Sequence, residues 1–308
     1  MNIIRCYNQN RKKIWGIVII IAFALLMLYL LNYMASLKDE ENLQGQNEVN
    51  IITNSSTITA NQSVVTGEKV SRKQLKTQTE TIDQFITLCN EKKLQEAYDL
   101  LTDECKQQLY NSVEVFENTY YNDVFNGETR TATVENWINN TYKVRLVENL
   151  LATGKSNNGY AKQDYITVVE VGEEYKLNIN NYIGYTEINK STTQDDITVE
   201  VVGKNTFMDY EEYNVKVTNN TGKEISLNGG NNAKAVYIED ERGSKYSFYN
   251  HELTDAMLSV EDNHTRELNI KFYSSYTSTK NIDYLVFSDV FIYDGQLTEK
   301  KEIRANVQ

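Results

Sequence analysis

The chain has 308 residues and a formal net charge of −12, from 43 acidic and 31 basic side chains. Residues 1–13 contribute +4 to this total, so the residues that follow carry −16. Neutralising nucleic-acid phosphates takes clustered Lys and Arg, so this acidic balance excludes nucleic acid from the expected partners. The chain is long enough for two domains of ordinary size.

An uncharged apolar stretch, residues 14–37, follows a basic N-terminal segment and precedes an acidic one. As a helix it reaches about 36 Å, enough to cross a hydrocarbon layer of roughly 30 Å, so we expect a single-pass membrane protein. The positive-inside rule makes residues 1–13 a cytoplasmic tip and places the rest outside the plasma membrane. A cleaved signal peptide is the alternative, but Tyr33 or Met34 occupies the position where cleavage needs a small residue, which favours an uncleaved signal-anchor.

The segment after this stretch, residues 38–78, is polar and rich in Asn, Ser, Thr and Gln. Such a composition buries too little apolar surface to fold, and it predicts a flexible extracellular linker. The short apolar segments around Ile51 and Val64 could pair with a sheet edge, but a linker is the default interpretation of this stretch.

A helical run is predicted next, because apolar side chains recur at helical spacing between residues 79 and 117. Thr102 and Ser112 are suited to begin two of the helices as N-caps. The members of the apolar stripe are Ile82, Phe85, Ile86, Cys89, Leu94, Ala97, Tyr98, Leu101, Leu109, Val113 and Phe116.

The three cysteines, Cys6, Cys89 and Cys105, do not form the pattern of a disulfide framework. We interpret Cys89 and Cys105 as buried free thiols that behave as small hydrophobic residues. A bridge between them is the alternative, if their helices pack side by side in an oxidising compartment.

After Asn126 and Gly127 the pattern changes to segments rich in β-branched and aromatic residues, separated by turn residues such as Asn139-Asn140 and Gly172-Glu173. Helices followed by an antiparallel sheet define an α+β domain over residues 79–190. The segments ETIDQFITLCNEKKLQEAYDLLTDEC, SVEVFENTYY and ENWINNTYKV resemble the nuclear-transport-factor-2-like superfamily over about residues 79–185. The resemblance implies a cone-like fold of helices and a curved sheet around a pocket, but it selects no single activity.

Aromatic side chains in this domain form the candidate pocket or partner groove, with domain core as the alternative interpretation. They are Tyr120, Tyr121, Phe125, Trp137, Tyr142 and Tyr165. Residues 79–190 contain no histidine, so acid–base chemistry there would fall to groups such as Glu135, Tyr142, Asp164 or Tyr165.

From residue 191 to residue 308 the sequence predicts about seven short strands in an all-β sandwich. Val215 and Val217 alternate with Asn214, Lys216 and Thr218, as in a half-buried antiparallel strand. The segments VTNNTGKEISLNG and YIEDERGSKYSF resemble the immunoglobulin-like domains of Gram-positive surface proteins. The resemblance implies the fold and an extracellular setting.

No catalytic residue, metal site or cofactor is predicted. His251 and His264 lie in expected loops without the spacing of metal ligands. Acidic clusters at 195–196, 209–212 and 239–241 lack the spacing of a calcium loop, so we expect them to be solvated acids in turns and loops. At the third cluster we also expect a hairpin.

The expected function is that of a non-enzymatic, cell-surface anchored protein that mediates extracytoplasmic protein contacts. The layout resembles the bitopic scaffold subunits of type IV secretion and conjugation machines, although a β-sandwich stands where some such subunits repeat the first domain. Envelope proteins and the membrane are the expected partners, and a homo-oligomer is left open. The alternative is a ligand-binding or sensory module that uses the pocket of the α+β domain.

Overall fold

The computed structural model describes most of the chain beyond residue 50. The described residues are 26–27, 51–52, 56–60, 62–148, 161–249, 252–277, 280–293 and 297–308. The chain divides into two units, 1–49 and 50–308. The architecture described below belongs to the second unit and is mostly sheet.

The prediction of a single-pass membrane protein is corrected by the structure. Among the described residues, no helix is long and apolar enough to cross a bilayer. The longest helix among the described residues is Arg72–Asn90, with 19 residues, and charged side chains such as Lys76 and Glu80 lie on its exposed face. The predicted span, residues 14–37, lies outside the described residues except for the helical and exposed Leu26 and Met27. This finding also corrects the predicted signal-anchor and plasma-membrane location.

Helices form the first layer of the 50–308 unit. They are α1 (Arg72–Asn90), α2 (Leu94–Asp99), α3 (Asp103–Leu109), α4 (Val113–Phe116), a π-helical turn (Glu117–Tyr121) and α5 (Asn122–Val124). Thr102 and Ser112 cap α3 and α4 by accepting hydrogen bonds from the backbone N–H groups of Cys105 and Val115, as predicted. Helix α1 begins before the expected position 79, because the Ser71 hydroxyl caps it.

A six-stranded sheet in the order β1-β2-β3-β4-β5-β6 packs against these helices. Its strands are β1 (Ile51–Ile52), β2 (Ser56–Ala60), β3 (Arg130–Ile138), β4 (Thr141–Glu148), β5 (Ala161–Val171) and β6 (Glu174–Asn178). Strand β2 pairs in parallel with β3. Part of the stretch predicted to be a flexible linker therefore forms β1 and β2 at one end of the sheet, because pairing supplies backbone partners that composition does not reveal.

Two further sheets form a sandwich. The first has the order β14-β9-β8-β7, and the second has the order β12-β11-β15-β10-β13 with β16 also paired to β15. The strands are β7 (Tyr182–Gln194), β8 (Ile197–Phe207), β9 (Tyr210–Asn219), β10 (Ile225–Ser226), β11 (Val236–Asp240), β12 (Lys245–Ser247), β13 (Ser259–Val260), β14 (His264–Tyr273), β15 (Ile282–Tyr293) and β16 (Leu297–Asn306), with a short helix α6 (Asp255–Leu258). The alternation predicted around Val215 and Val217 is confirmed, because both are buried between half-buried polar neighbours.

Two hydrophobic clusters stabilise the unit, one between the helices and the six-stranded sheet and one inside the sandwich. Strands β7 and β8 contribute to both. Tyr182 and Phe207 belong to the first cluster, and Ile197 and Val199 belong to the second. Strand β7 also continues across position 190, the predicted domain boundary, which stays a prediction.

Cys89 and Cys105 are free and buried in the first cluster, which confirms their interpretation as thiols that pack as hydrophobic residues. Burial raises the pKa of the Cys89 thiol far above its usual range and raises the pKa of Cys105 to about 12. Both thiols are therefore protonated at neutral pH and poor nucleophiles.

Candidate functional site

Four of the six predicted site residues lie in the first hydrophobic cluster. Tyr120, Tyr121, Phe125 and Tyr142 are each at most 5% exposed. Tyr120 stacks on Phe116, and Tyr121 stacks on Phe125. These side chains fill the space between the helices and the sheet, where the resemblance implied a pocket.

Asp164, one of the acid–base candidates, is a buried structural anchor. Its Oδ2 accepts hydrogen bonds from the Tyr120 hydroxyl at 2.7 Å and from the Asn180 N–H at 3.0 Å, and its Oδ1 accepts one from the Asn181 N–H at 2.9 Å. Asn180 and Asn181 both have positive φ, so the carboxylate holds a turn of left-handed residues between β6 and β7. Burial raises the pKa of Asp164, although these donors oppose the effect.

Asn136 is buried in the same sheet, but its side chain has no hydrogen-bond partner among the described residues at either Oδ1 or Nδ2. It lies directly opposite Tyr142, whose hydroxyl instead donates to Gln78 Oε1 at 2.5 Å. A buried amide without partners costs free energy of folding.

Replacing Asn136 by valine is therefore expected to raise the free energy of unfolding by about 1–3 kcal/mol, because it removes two unsatisfied polar atoms from a strand. Urea unfolding measures the change. The matched control is the same replacement at buried Asn205, which donates to Gln108 Oε1 and accepts from the Tyr182 hydroxyl, and which should lose stability. A loss of stability at Asn136 would contradict the prediction and indicate a bound water or ligand there.

The other two predicted site residues, Trp137 and Tyr165, are half-buried and contact each other. Their ring centroids lie 5.3 Å apart in an edge-to-face arrangement. The Lys143 ammonium lies 5.5 Å from the Trp137 ring centroid and 3.9 Å from a Glu135 carboxylate oxygen. This pair is an aromatic patch on the surface of the six-stranded sheet.

A second aromatic patch lies at the end of the sandwich sheet. Tyr273 is 50% exposed and stacks on Tyr249 with centroids 3.6 Å apart. Tyr249 contacts Tyr210 edge to face at 6.0 Å, and Tyr210 lies directly opposite Tyr273 in the β9–β14 pairing. The Lys271 ammonium lies 5.5 Å from the Tyr210 ring centroid.

Asp209 and Tyr276 connect the two patches. The hydroxyl of Tyr276 accepts a hydrogen bond from Asn139 Nδ2 at 3.0 Å, and Asn139 is two residues from Trp137. Burial raises the pKa of both Tyr165 and Tyr249, and the negative charge of Asp209 raises both pKa values further.

We call this region the junction surface. It comprises Trp137, Tyr165, Asp209, Tyr210, Tyr249, Tyr273 and Tyr276.

The Asn180–Asn181 turn supports the junction surface from below. The carbonyl oxygen of Asn181 accepts a hydrogen bond from the Met208 N–H, and that of Met208 accepts one from the Tyr276 N–H. Since Asp164 holds this turn, a buried carboxylate of the first cluster positions surface residues of the sandwich.

The sequence interpretation missed Tyr210, Tyr249, Tyr273 and Tyr276, because they lie far apart along the chain. The one local signal was Tyr210 within the 209–212 acidic cluster. The expectation that these acids are solvated is wrong for Glu211 and Glu212, which are 2% and 9% exposed, whereas Asp209 is exposed.

Glu211 is the centre of a buried ionic cluster inside the sandwich. Its Oε1 lies 2.9 Å from Lys204 Nζ and 3.5 Å from Lys280 Nζ. Its Oε2 accepts weaker hydrogen bonds from the hydroxyls of Tyr213 and Ser274, both at 3.4 Å. Burial lowers the pKa of Lys280, which also donates to the Ser274 hydroxyl.

The remaining predicted acids have structural roles. Asp195 and Asp196 are exposed turn residues with positive φ, and Asp195 pairs with Lys301. The Asp240 carboxylate accepts hydrogen bonds from the backbone N–H groups of Arg242 and Ser244, which confirms the predicted hairpin.

The described histidines and acids form no metal site. His264 is exposed, and His251 lies outside the described residues. Within the described part of the chain, no group of three or more His, Cys, Asp or Glu side chains is arranged to hold a metal ion.

No protein family model matches this chain, and comparison with curated proteins and with solved structures found no similar protein. The nuclear-transport-factor-2-like and immunoglobulin-like resemblances therefore stay predictions.

Proposed function

We propose that this chain is a binding protein that docks a partner protein on the junction surface. The observation that carries the proposal is the pair of partly exposed aromatic patches, Trp137 with Tyr165 and Tyr249 with Tyr210 and Tyr273, which the Asn139–Tyr276 hydrogen bond connects. Tyr and Trp are enriched among the residues that supply most of the binding energy at protein interfaces, because they bury large areas at low entropic cost.

Charge indicates the kind of partner. Lys143 and Lys271, which lie over the aromatic rings, are already paired with Glu135 and Glu252. No described Lys or Arg forms an ion pair with Asp209, an exposed residue that directly precedes Tyr210 of the second patch. A partner that presents Lys or Arg would pair with this carboxylate and lie against the faces of the tyrosine rings.

The filled first cluster disfavours the alternative of a small-molecule module in the α+β region, because Tyr120, Tyr121, Phe125 and Tyr142 occupy the space that a ligand would need. Participation in a secretion or conjugation machine stays a prediction.

Site-specific photo-cross-linking in an extract of the source organism tests the proposal. A photoreactive phenylalanine at Tyr273 is expected to trap one protein, and the same group at the exposed Met257, away from this surface, should not trap it. Asp209→Lys and Tyr249→Ala should each reduce the cross-link at least tenfold, while Asp209→Asn should reduce it less.

Equal trapping at Tyr273 and Met257, or an undiminished cross-link in Asp209→Lys, would overturn the proposal. Circular dichroism and urea unfolding of each variant show whether a lost cross-link reflects lost binding or lost folding.

A further inference from the structure

Strand β14 leaves part of its outer edge open. It pairs with β9 along its whole length, from His264 to Tyr273. On its other side, the described residues cover only the end of the strand, where Phe248 forms a bridge with Phe272 and the Tyr249 N–H donates to the Lys271 carbonyl at 2.8 Å. In the described part of the chain, no other strand is paired with β14.

The Lys271 contact shows which backbone groups point outward. In an antiparallel strand the N–H and C=O of one residue point to the same side, and successive residues alternate between sides. Residues 265, 267 and 269 have the same parity as Lys271, so their N–H and C=O groups point to the open side. These groups continue the row of outward-facing backbone groups to which Lys271, the partner of Tyr249, belongs.

Space for an added strand lies beside these groups. A cleft of about 310 Å³ is lined by Val260, Glu261 and the β14 residues from His264 to Glu267. An extended peptide that entered this cleft would form main-chain hydrogen bonds with residues 265, 267 and 269, as in strand addition to an exposed sheet edge.

The charge on this edge selects among possible occupants. On its inner side, β14 places Glu267 opposite Lys216, with Glu267 Oε1 3.2 Å from Lys216 Nζ. A second copy of β14 paired about Glu267 would place two glutamates opposite each other, which is unfavourable. A strand with Lys or Arg at that position would be favoured instead.

We infer that residues 265–269 of β14 accept an extended segment of a partner polypeptide as a fifth strand, with a basic residue opposite Glu267. This inference does not rest on the junction surface, because it uses different residues and backbone recognition. Sequence patterns do not reveal it, since it depends on which side of β14 is covered.

A capped synthetic peptide with the sequence of residues 213–219, YNVKVTN, is the probe, because β14 already pairs with that sequence on its inner side. We expect saturable binding to the full-length protein, measured by fluorescence anisotropy. Hydrogen exchange should show new protection of the N–H groups of residues 265, 267 and 269. A peptide with glutamate in place of its lysine should bind at least tenfold more weakly.

Glu267→Pro removes one outward N–H and leaves the β9 pairing intact, because a proline is tolerated where the N–H faces away from the sheet. It should weaken peptide binding at least tenfold. Glu267→Gln keeps the N–H and loses the charge, so it should weaken binding less. Urea unfolding of both variants confirms that the sheet is intact.

Absence of saturable binding up to roughly 1 mM peptide would overturn the inference. Binding that persists in Glu267→Pro but is lost in Tyr249→Ala would also overturn it and would assign the peptide to the junction surface. Loss of exchange protection in β9 without new protection of residues 265, 267 and 269 would indicate displacement of β9 and would equally contradict strand addition.

Discussion

Replacing Asp164 by alanine is expected to lower the free energy of unfolding by about 3–5 kcal/mol, because one buried hydroxyl and two partly buried N–H donors lose their acceptor. The Tyr120 hydroxyl is left without its partner in the core, and the N–H groups of Asn180 and Asn181 lose the carboxylate that holds their left-handed turn. The urea midpoint and slope of the purified protein measure the loss.

Asp164→Asn is the matched variant, because it keeps the shape and one acceptor oxygen while it removes the charge. It should lower the free energy of unfolding less than Asp164→Ala does. Equal and small effects of both replacements would show that the turn does not depend on this side chain. A loss of cross-linking from Tyr273 in Asp164→Ala would further show that the turn supports the junction surface.

The sign of the pH dependence follows from the raised pKa of Asp164. As the pH falls through the raised pKa of the folded state, the native carboxyl takes up a proton while the unfolded one, with a pKa of about 3.9, stays ionised. The native state then binds more protons, so this group favours folding more at mildly acidic pH than at pH 7. As the pH falls, the free energy of unfolding of the wild type should rise relative to that of Asp164→Asn. The opposite trend would contradict a raised pKa of Asp164.

Replacing Glu211 by alanine is the second change with a large expected effect. It removes the carboxylate that lies against Lys204 and Lys280 and leaves the ammonium of Lys280, 8% exposed, without its anionic partner. Removing one partner of a buried ion pair lowers the free energy of unfolding by about 3–5 kcal/mol, because the remaining charge stays buried without a partner. Thermal and urea unfolding measure the loss.

Two controls separate this effect from simple truncation. The double variant Glu211→Met with Lys280→Met removes both buried charges and should recover most of the lost stability. Glu80→Ala removes a glutamate whose pairing with Lys76 is exposed, and it should change stability little. A loss at Glu211 no larger than that at Glu80 would show that the buried cluster does not stabilise the sandwich.

Local features of the fold were predictable because their causes are local. Thr102 and Ser112 begin helices because their hydroxyls accept N–H groups three residues ahead. The alternation around Val215 and Val217 reflects one strand with one buried face. Asn139 has a φ of 51°, which suits the turn predicted at Asn139-Asn140.

Distant pairings account for what the sequence did not reveal. Asp164 meets Tyr120 across 44 positions, and neither residue signals the other. Glu211 and Glu212 were expected to be solvated because they stand in an acidic run, but both lysines and the Ser274 hydroxyl around Glu211 come from outside its strand. Of the predicted site residues, only Trp137 and Tyr165 lie on the junction surface, since periodicity does not distinguish a core aromatic residue from one at a rim.

Because both hydrophobic clusters include residues of β7 and β8, the two halves of the unit cannot be separated without loss of packing. A recombination point at residue 190 would cut β7 within its pairing to β8, separating Tyr182 from the rest of the strand that joins the sandwich. Each half would then expose apolar side chains that the other half now covers. The two clusters therefore form one unit. A transfer of this protein's binding surfaces to another protein has to include all of residues 50–308.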